Sequence, residues 1–130
     1  MKALVCNEFG PTENLTLEER PVPTPGKGEI LVDIKAAGVN FPDVLTVQGK
    51  YQFKPELPFV PGGEVAGIVT AVGEGVTSRK VGDKVVSTVQ IGGFAEQCVG
   101  SEHGAFAMGE TMSFEQAAGF AITYGTSYYA

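Results

Sequence analysis

Few side chains in this chain of 130 residues are suited to chemistry, and the two that stand out are an amide and a phenol. Asn40 follows a predicted strand and precedes a predicted helix, so its amide presents a donor and an acceptor at the edge of a cleft. Tyr51 lies in the loop after that helix, where an aromatic ring with a polar tip can stack on a planar molecule and hydrogen-bond its oxygen. Both residues have a structural alternative. Asn40 is equally suited to an Asx turn or a helix cap, and Tyr51 to partly buried packing.

Two further polar residues carry weaker signals. His103 is the one imidazole and could serve as a general base, but it lies in the turn Gly100–Gly104 with no serine or cysteine nucleophile pattern beside it. We therefore interpret it as a surface histidine. Thr126 begins a segment that resembles a helix start, so it is first a helix cap and only second a cofactor contact.

The sequence predicts no metal site. A structural zinc needs four sulfur or nitrogen ligands and a catalytic zinc at least three, and the only soft ligands here are Cys6, Cys98 and His103. The two cysteines lie far apart and lack C-x-x-C spacing, which indicates small buried side chains in a reducing compartment.

Charge and composition exclude several function classes. The chain has 9 basic and 15 acidic residues, a net charge of −6, with no basic block that would bind nucleic acid or an anionic membrane. The apolar run Ala3–Cys6 is too short for a signal segment or a membrane span. These features predict a cytoplasmic protein.

The elements that must position Asn40 and Tyr51 are short strands with a few helical turns. Eighteen glycines are dispersed among short apolar runs, which indicates one compact, mainly β domain. A short helix is predicted from Pro42 to Gly49, and a capping box of Ser113 and Gln116 begins another. The prolines of residues 21–26 predict an extended connection without ladder hydrogen bonds. The predicted strands are Met1–Asn7, Leu15–Glu19, Glu29–Ala37, Val65–Val72 and Lys84–Gln90.

One loop imitates a nucleotide-binding motif. Residues 73–78 begin like the dinucleotide fingerprint, but Ser78 replaces its third glycine and another turn follows where a helix is needed. We interpret this loop as a β-hairpin connection.

Several segments together resemble one protein superfamily. Residues 62–69, Gly-Gly-Glu-Val-Ala-Gly-Ile-Val, are similar to the Gly-His-Glu-x-x-Gly-x-Val signature of medium-chain dehydrogenases and reductases. Gly63 stands where zinc-dependent members have a histidine ligand, and Asn40 where alcohol dehydrogenases have a zinc-binding cysteine. Residues 36–43, 92–96 and 123–128 also fit, so the resemblance runs through essentially all of the chain. It points to the zinc-free NADPH:quinone oxidoreductase branch, which includes zeta-crystallin-like proteins.

This resemblance implies a fold and a domain organisation. Residues 1–112 would form a GroES-like, twisted and partly open β-barrel on the substrate side of the enzyme. Residues 113–130 would form a helical connection toward a nucleotide-binding Rossmann domain that lies outside this chain. A complete small barrel with an aromatic tail is the simpler alternative.

The resemblance also implies an activity. The intact enzyme would use NADPH, without metal, to reduce a small planar quinone or similar conjugated carbonyl, and would be a homo-oligomer. Asn40, Tyr51 and Thr126 would contact the cofactor, Asn40 and Tyr51 would orient the substrate, and Phe41 and Gly63 would line its cleft. This chain alone would have little or no turnover. The alternatives are an enoyl-thioester or enone reductase of the same superfamily, and a non-catalytic GroES-like binding module.

Overall fold

The computed structural model describes residues 1–109 and 111–119, and they form a mainly β structure with short helices, as predicted. Residues 114–119 are helical. The remaining elements, in chain order, are β1 (Lys2–Val5), a 3-10 turn (Thr12–Asn14), β2 (Thr16–Glu19), β3 (Glu29–Gly38), α1 (Phe41–Gln48), β4 (Glu64–Val72), β5 (Lys84–Thr88), β6 (Gln97–Ser101), a 3-10 turn (Glu102–Gly104) and β7 (Ala105–Ala107).

The strands form two antiparallel sheets. The larger sheet has the order β6-β3-β4-β5-β7, and the smaller one pairs β1 with β2. Main-chain hydrogen bonds connect β1 to the loops beside the larger sheet, from Leu4 N–H to the Phe94 carbonyl and from Cys6 N–H to the Phe59 carbonyl, both 2.8 Å long. Strands β6 and β7 are the two edges of this sheet, and within the described residues neither pairs with a further strand. The barrel that the sheet forms is therefore partly open.

The main core lies against the middle of the larger sheet. Strand β3 pairs on both sides, and its Ile30 and Val32 are fully buried, as the alternating sequence predicts. They pack with Val69, Val85 and Ala105 from the neighbouring strands. Burying a side chain of this size contributes about 1.5–3 kcal/mol, so this cluster holds β3, β4 and β5 together.

The backbones of β3 and β4 approach closely at Gly67. A Cβ atom at this position would lie 2.0 Å from the Asp33 carbonyl oxygen, a distance at which no side chain fits. The register between the two strands also shifts at Leu31/Val32 and at Ile34/Ala36. Glycine in the middle of β4 therefore permits the close approach of the two backbones.

The five predicted strands are all present, with ends that differ by one or two residues. Strand β5 is predicted to reach Gln90 but ends at Thr88, because the Val89 N–H leaves the ladder and donates to the Gly63 carbonyl at 2.9 Å. Strands β6 and β7 were not predicted. The turn predicted around His103 contains a 3-10 turn, and its Glu102 is buried.

The helical predictions are confirmed where the structure describes them. Helix α1 ends at Gly49, whose φ of 73° lies in the left-handed region. Ser113 and Gln116 form the predicted capping box, with hydrogen bonds of 3.0 and 3.1 Å. The predicted helix start at Thr123–Ala130, including Thr126, lies outside the described residues.

Two further predictions concern the loops and membranes. Residues 73–83 join the antiparallel strands β4 and β5, so the hairpin interpretation of this segment is confirmed. Within residues 1–109 and 111–119, no helix has the length and apolar character that crossing a membrane requires.

Candidate functional site

A cleft of about 380 Å³ lies where helix α1 begins, close to the start of β4 and the end of β5. Three of the predicted site residues, Asn40, Tyr51 and Gly63, line it together although they come from different segments of the chain. Phe41 does not belong to the lining, and its side chain is 73% exposed. The complete lining consists of Asn40, Pro42, Asp43, Thr46, Tyr51, Phe53, Gly63, Thr88, Val89 and Gln90.

Asn40 both caps helix α1 and lines the cleft. Its backbone is extended, with φ −126° and ψ 161°, and its N–H donates to Oδ2 of Asp43 at 2.8 Å. The Asp43 N–H donates back to the Asn40 carbonyl at 3.0 Å, so the capping alternative is confirmed. The Nδ2 of Asn40 is buried and has no hydrogen-bond partner within the described residues. A buried donor without a partner costs about 1–3 kcal/mol, and a ligand oxygen would remove that cost.

Asp43 lies under the cleft and is only 8% exposed. Its carboxylate accepts the Asn40 N–H, and the Gly63 N–H also faces it and stabilises its charge. Burial outweighs these two groups and raises the pKa of the Asp43 carboxyl above its usual value. Asp43 was not among the predicted site residues. The sequence signal for its contact with Asn40 was an asparagine followed three residues later by an acid, which is a capping-box pattern.

Aromatic rings form the other side of the cleft. Tyr51 is 38% exposed, so part of its ring is open to a ligand while the rest packs against the protein. Phe53 lines the cleft beside it and was not predicted. Thr46 is buried, and its hydroxyl is already used because Oγ1 donates to the Pro42 carbonyl at 2.8 Å. Rings of this kind suit a flat, partly apolar ligand.

Gly63 is closely surrounded at the position where zinc-dependent relatives have a histidine. A Cβ atom on Gly63 would lie 3.2 Å from the Val89 carbonyl oxygen and 3.6 Å from Oδ1 of Asp43. A residue with a side chain at this position would therefore require the Val89 carbonyl to move by a few tenths of an ångström. Within the described residues, no three side chains of His, Cys, Asp or Glu come together in a group that would hold a metal ion.

Gly38 gives space to two polar side chains next to the cleft. A Cβ atom there would lie 3.4 Å from Nδ2 of Asn40 and 3.3 Å from Oε1 of Glu64, which is fully buried at the start of β4. It would also lie 2.9 Å from the Ala118 carbonyl. A larger residue at position 38 would therefore meet the Ala118 main chain first, with the Asn40 amide close to ordinary contact distance.

Other features of the chain lie away from this cleft. A larger groove of about 670 Å³ runs between β6 and residues 19–23, and none of the predicted site residues lines it. His103 has an 85% exposed side chain, in agreement with the surface interpretation. Cys6 and Cys98 are both free and buried, as expected, and burial raises the pKa of the Cys98 thiol to about 12.

Comparisons with known proteins agree on one family. Residues 26–127 match the alcohol dehydrogenase GroES-like domain. The chain is 43% identical over 129 residues to quinone oxidoreductase-like protein 2 homolog of Nematostella vectensis, covering 98% of this chain and 35% of that protein. It is 40% identical over 130 residues to the synaptic vesicle membrane protein VAT-1 homolog of Rattus norvegicus, covering 98% of this chain and 32% of that protein.

A solved structure shows the same fold. The structure of Escherichia coli quinone oxidoreductase complexed with NADPH superposes with a TM-score of 0.94 at 35% identity. The match covers 99% of this chain and 40% of that protein. The predicted GroES-like fold and the resemblance to quinone oxidoreductases are confirmed. The chain spans about a third to two fifths of the length of these relatives. It belongs to the alcohol dehydrogenase GroES-like domain family of the medium-chain dehydrogenase/reductase superfamily.

Proposed function

We propose that this chain is the substrate-side domain of an NADPH-dependent oxidoreductase that reduces a quinone or a similar conjugated carbonyl. The observation that carries the proposal is the buried Nδ2 of Asn40, which has no hydrogen-bond partner among the described residues, in a cleft that Tyr51 and Phe53 line with aromatic rings. A donor beside flat apolar surfaces suits a planar molecule with a carbonyl oxygen. The similarity to quinone oxidoreductases, one of them solved with NADPH, supports the same assignment.

The side chains of the cleft have simple roles in this proposal. NADPH, when bound, supplies the hydride. Asn40 donates to a carbonyl oxygen through Nδ2, and Tyr51 holds a flat ring by stacking, with Thr126 as a further cofactor contact. Phe41 and Gly63 remain proposed neighbours of the substrate. The oxygen that gains negative charge on reduction takes its proton from water, so no titrating side chain is required.

A second domain is part of the proposal. The described loop between β4 and β5 is a hairpin connection, whereas a dinucleotide's pyrophosphate is usually held by a glycine-rich turn at a helix N-terminus. We therefore assign residues 1–112 to the substrate side, and 113–130 to a connection toward a Rossmann domain. The intact protein is proposed to be a cytoplasmic homo-oligomer without zinc, and the chain by itself to have little turnover.

Two alternatives give different experimental results. An enoyl-thioester or enone reductase of the same superfamily would use the same cleft and cofactor with a different acceptor. A non-catalytic binding module is favoured by the similarity to a vesicle membrane protein, whose name states no reaction. It would bind a partner without oxidising NADPH.

A substrate comparison tests the proposal. The full-length protein is mixed with NADPH and either a benzoquinone, an enone or an enoyl thioester, and absorbance at the nicotinamide band is followed. We expect fastest oxidation with the quinone, and Asn40→Ala should lower kcat/KM by about tenfold through the lost hydrogen bond. His103→Ala is the control that leaves the rate unchanged, because its side chain is exposed and is not part of the cleft lining. A rate that prefers the thioester, or no NADPH oxidation with any acceptor, contradicts the proposal.

A further inference from the structure

Asp43 connects two segments of the cleft that are distant in sequence. Its Oδ2 accepts the Asn40 N–H at 2.8 Å, at the start of helix α1. The Gly63 N–H, just before β4, faces the same carboxylate, and Oδ1 lies 3.6 Å from where a Cβ on Gly63 would be. One buried side chain therefore accepts the Asn40 N–H on one side of the cleft and lies against the Gly63 backbone on the other.

The position of the Asn40 amide depends on this connection. Its Nδ2 has no hydrogen bond within the part of the chain that the structure describes. Asp43 holds the backbone from which the side chain projects through the Asn40 N–H, and the capping box also links the Asn40 side chain to the Asp43 N–H. Gly63 contributes to the cleft only through its main chain, so its position also depends on what its N–H contacts.

Stability alone does not explain a carboxylate at this place. Burial raises the pKa of Asp43 despite the two N–H groups, so charge at this position is unfavourable on balance. Glu102 offers the opposite case. It is also 8% exposed and accepts the Thr77 and Ser78 N–H groups and the Ser78 hydroxyl, and these bonds lower its pKa. Glu102 is a stabilising buried carboxylate that lies away from the cleft.

We propose that Asp43 is a positioning residue, which fixes the Asn40 amide in the cleft by holding the start of α1 and the start of β4 at one separation. This inference rests on the proposed function insofar as Asn40 orients the acceptor. The proposed role of Asp43 is to position its neighbours in the cleft lining, and it includes no proton transfer by Asp43. A shift of about 1 Å in a positioned group can cost as much as 100-fold in rate, so the effect is measurable.

The test is a double-mutant cycle in the full-length protein, with Asp43→Asn, Asn40→Ala and the pair, and with Glu102→Gln as matched control. The amide of Asp43→Asn has one acceptor oxygen where the carboxylate has two, so one N–H loses its partner. We expect Asp43→Asn to lower kcat/KM by about tenfold alone and by less than about twofold when Asn40 is already alanine, because the effect passes through Asn40. Glu102→Gln should lower the unfolding temperature more than Asp43→Asn and leave kcat/KM unchanged.

Three outcomes would overturn the inference. The first is that Asp43→Asn lowers activity equally whether residue 40 is asparagine or alanine, and the second is that Asp43→Asn leaves activity unchanged. The third is that Glu102→Gln lowers activity as much as Asp43→Asn does, which would indicate general destabilisation. If Asp43→Asn does not fold, amide exchange in the unaltered protein decides. Slow exchange of both the Asn40 and Gly63 N–H groups supports the connection, and fast exchange of either overturns it.

Failure of the proposed function is distinguishable from failure of this inference. If the unaltered full-length protein oxidises no NADPH with any acceptor, the proposed function is wrong while the connection can still be measured by NMR. The side-chain amide resonances of Asn40 should then shift in Asp43→Asn and stay in place in Glu102→Gln. Unshifted Asn40 resonances in Asp43→Asn overturn the inference whatever the enzyme assay gives.

Discussion

Replacing Gly67 with alanine should strongly destabilise the protein, although alanine is otherwise an easy residue for a strand. The new Cβ would lie 2.0 Å from the Asp33 carbonyl oxygen, where at least 3.0 Å is needed, and 2.9 Å from Cγ1 of Val32. The obstacle at Asp33 is main chain, so strands β3 and β4 must separate by about 1 Å, which is the difference between those two distances. No change of side-chain rotamer at Asp33 relieves this contact.

The size of the effect follows from what must move. Strand β3 is also paired with β6, so its displacement strains two ladders at once. Overpacking of this kind costs about 1–3 kcal/mol, and a weakened ladder bond adds about 1 kcal/mol. We expect Gly67→Ala to lose about 3 kcal/mol of unfolding free energy, near the upper end for one added methyl group. Because β4 begins at the cleft, kcat/KM should fall as well.

Urea unfolding of Gly67→Ala, compared with a glycine-to-alanine variant at an uncrowded position, measures the loss of unfolding free energy. Gly109→Ala is the control, since no atom of residues 1–109 or 111–119 outside its chain neighbours lies within 4 Å of its added Cβ, and its φ is not in the left-handed region. At about 1–3 kcal/mol per molar urea, the Gly67→Ala midpoint should drop by at least about 1 M. The control should remain within about 0.5 kcal/mol of the unaltered protein. If the two variants have equal midpoints, the strands separate at little cost and the reasoning from close approach is refuted.

Three further predictions concern the cleft and the buried acids and thiols. In the full-length protein, Tyr51→Phe should keep most quinone reductase activity and Tyr51→Ala should lose more, because ring stacking survives loss of the hydroxyl. Equal losses of kcat/KM in the two variants would mean that the hydroxyl is the essential part. Hydrogen bonds from Ser78 lower the pKa of Glu102, so its contribution to stability is present above about pH 4.5 and is lost as the pH falls through its lowered pKa. The difference in urea stability between the unaltered protein and Glu102→Gln should therefore shrink below pH 4.5, and a constant difference would contradict this. Cys98, with a pKa of about 12, should not react with a thiol reagent at pH 8 until the protein unfolds, and reaction within seconds of mixing would show that its burial is incomplete.

Local sequence was sufficient for the elements whose causes are local. The helix between Asn40 and Gly49 was predictable because its cap, its proline and its terminal glycine are all within ten residues. The alternating residues of β3 predicted a half-buried strand for the same reason. Strands β6 and β7 escaped prediction because they are short and polar or small, and their pairing with β3 and β5 is what makes them strands.

The cleft was predictable in part. Asn40 and Tyr51 stood out by residue type and position, each with a structural alternative, and Gly63 was identified through a family resemblance. The contact of Asp43 with Gly63 joins residues twenty positions apart, and the lining by Val89 depends on β5 ending early. Such pairings are set by the path of the sheet in space, and no pattern in the sequence near Asp43 or Val89 specifies them.

The segments that line the cleft have a consequence for the order of folding. The cleft brings residues 40–53 together with residue 63 and residues 88–90, which the paired strands β3, β4 and β5 position, so we expect the cleft to be among the last features to be assembled. Contacts between distant parts of a chain form slowly, because closing long loops costs entropy before the contacts can compensate. Recovery of ligand binding after dilution from urea should therefore lag behind recovery of strand structure. The same dependence makes the binding cleft a sensitive reporter of whether the whole sheet has formed.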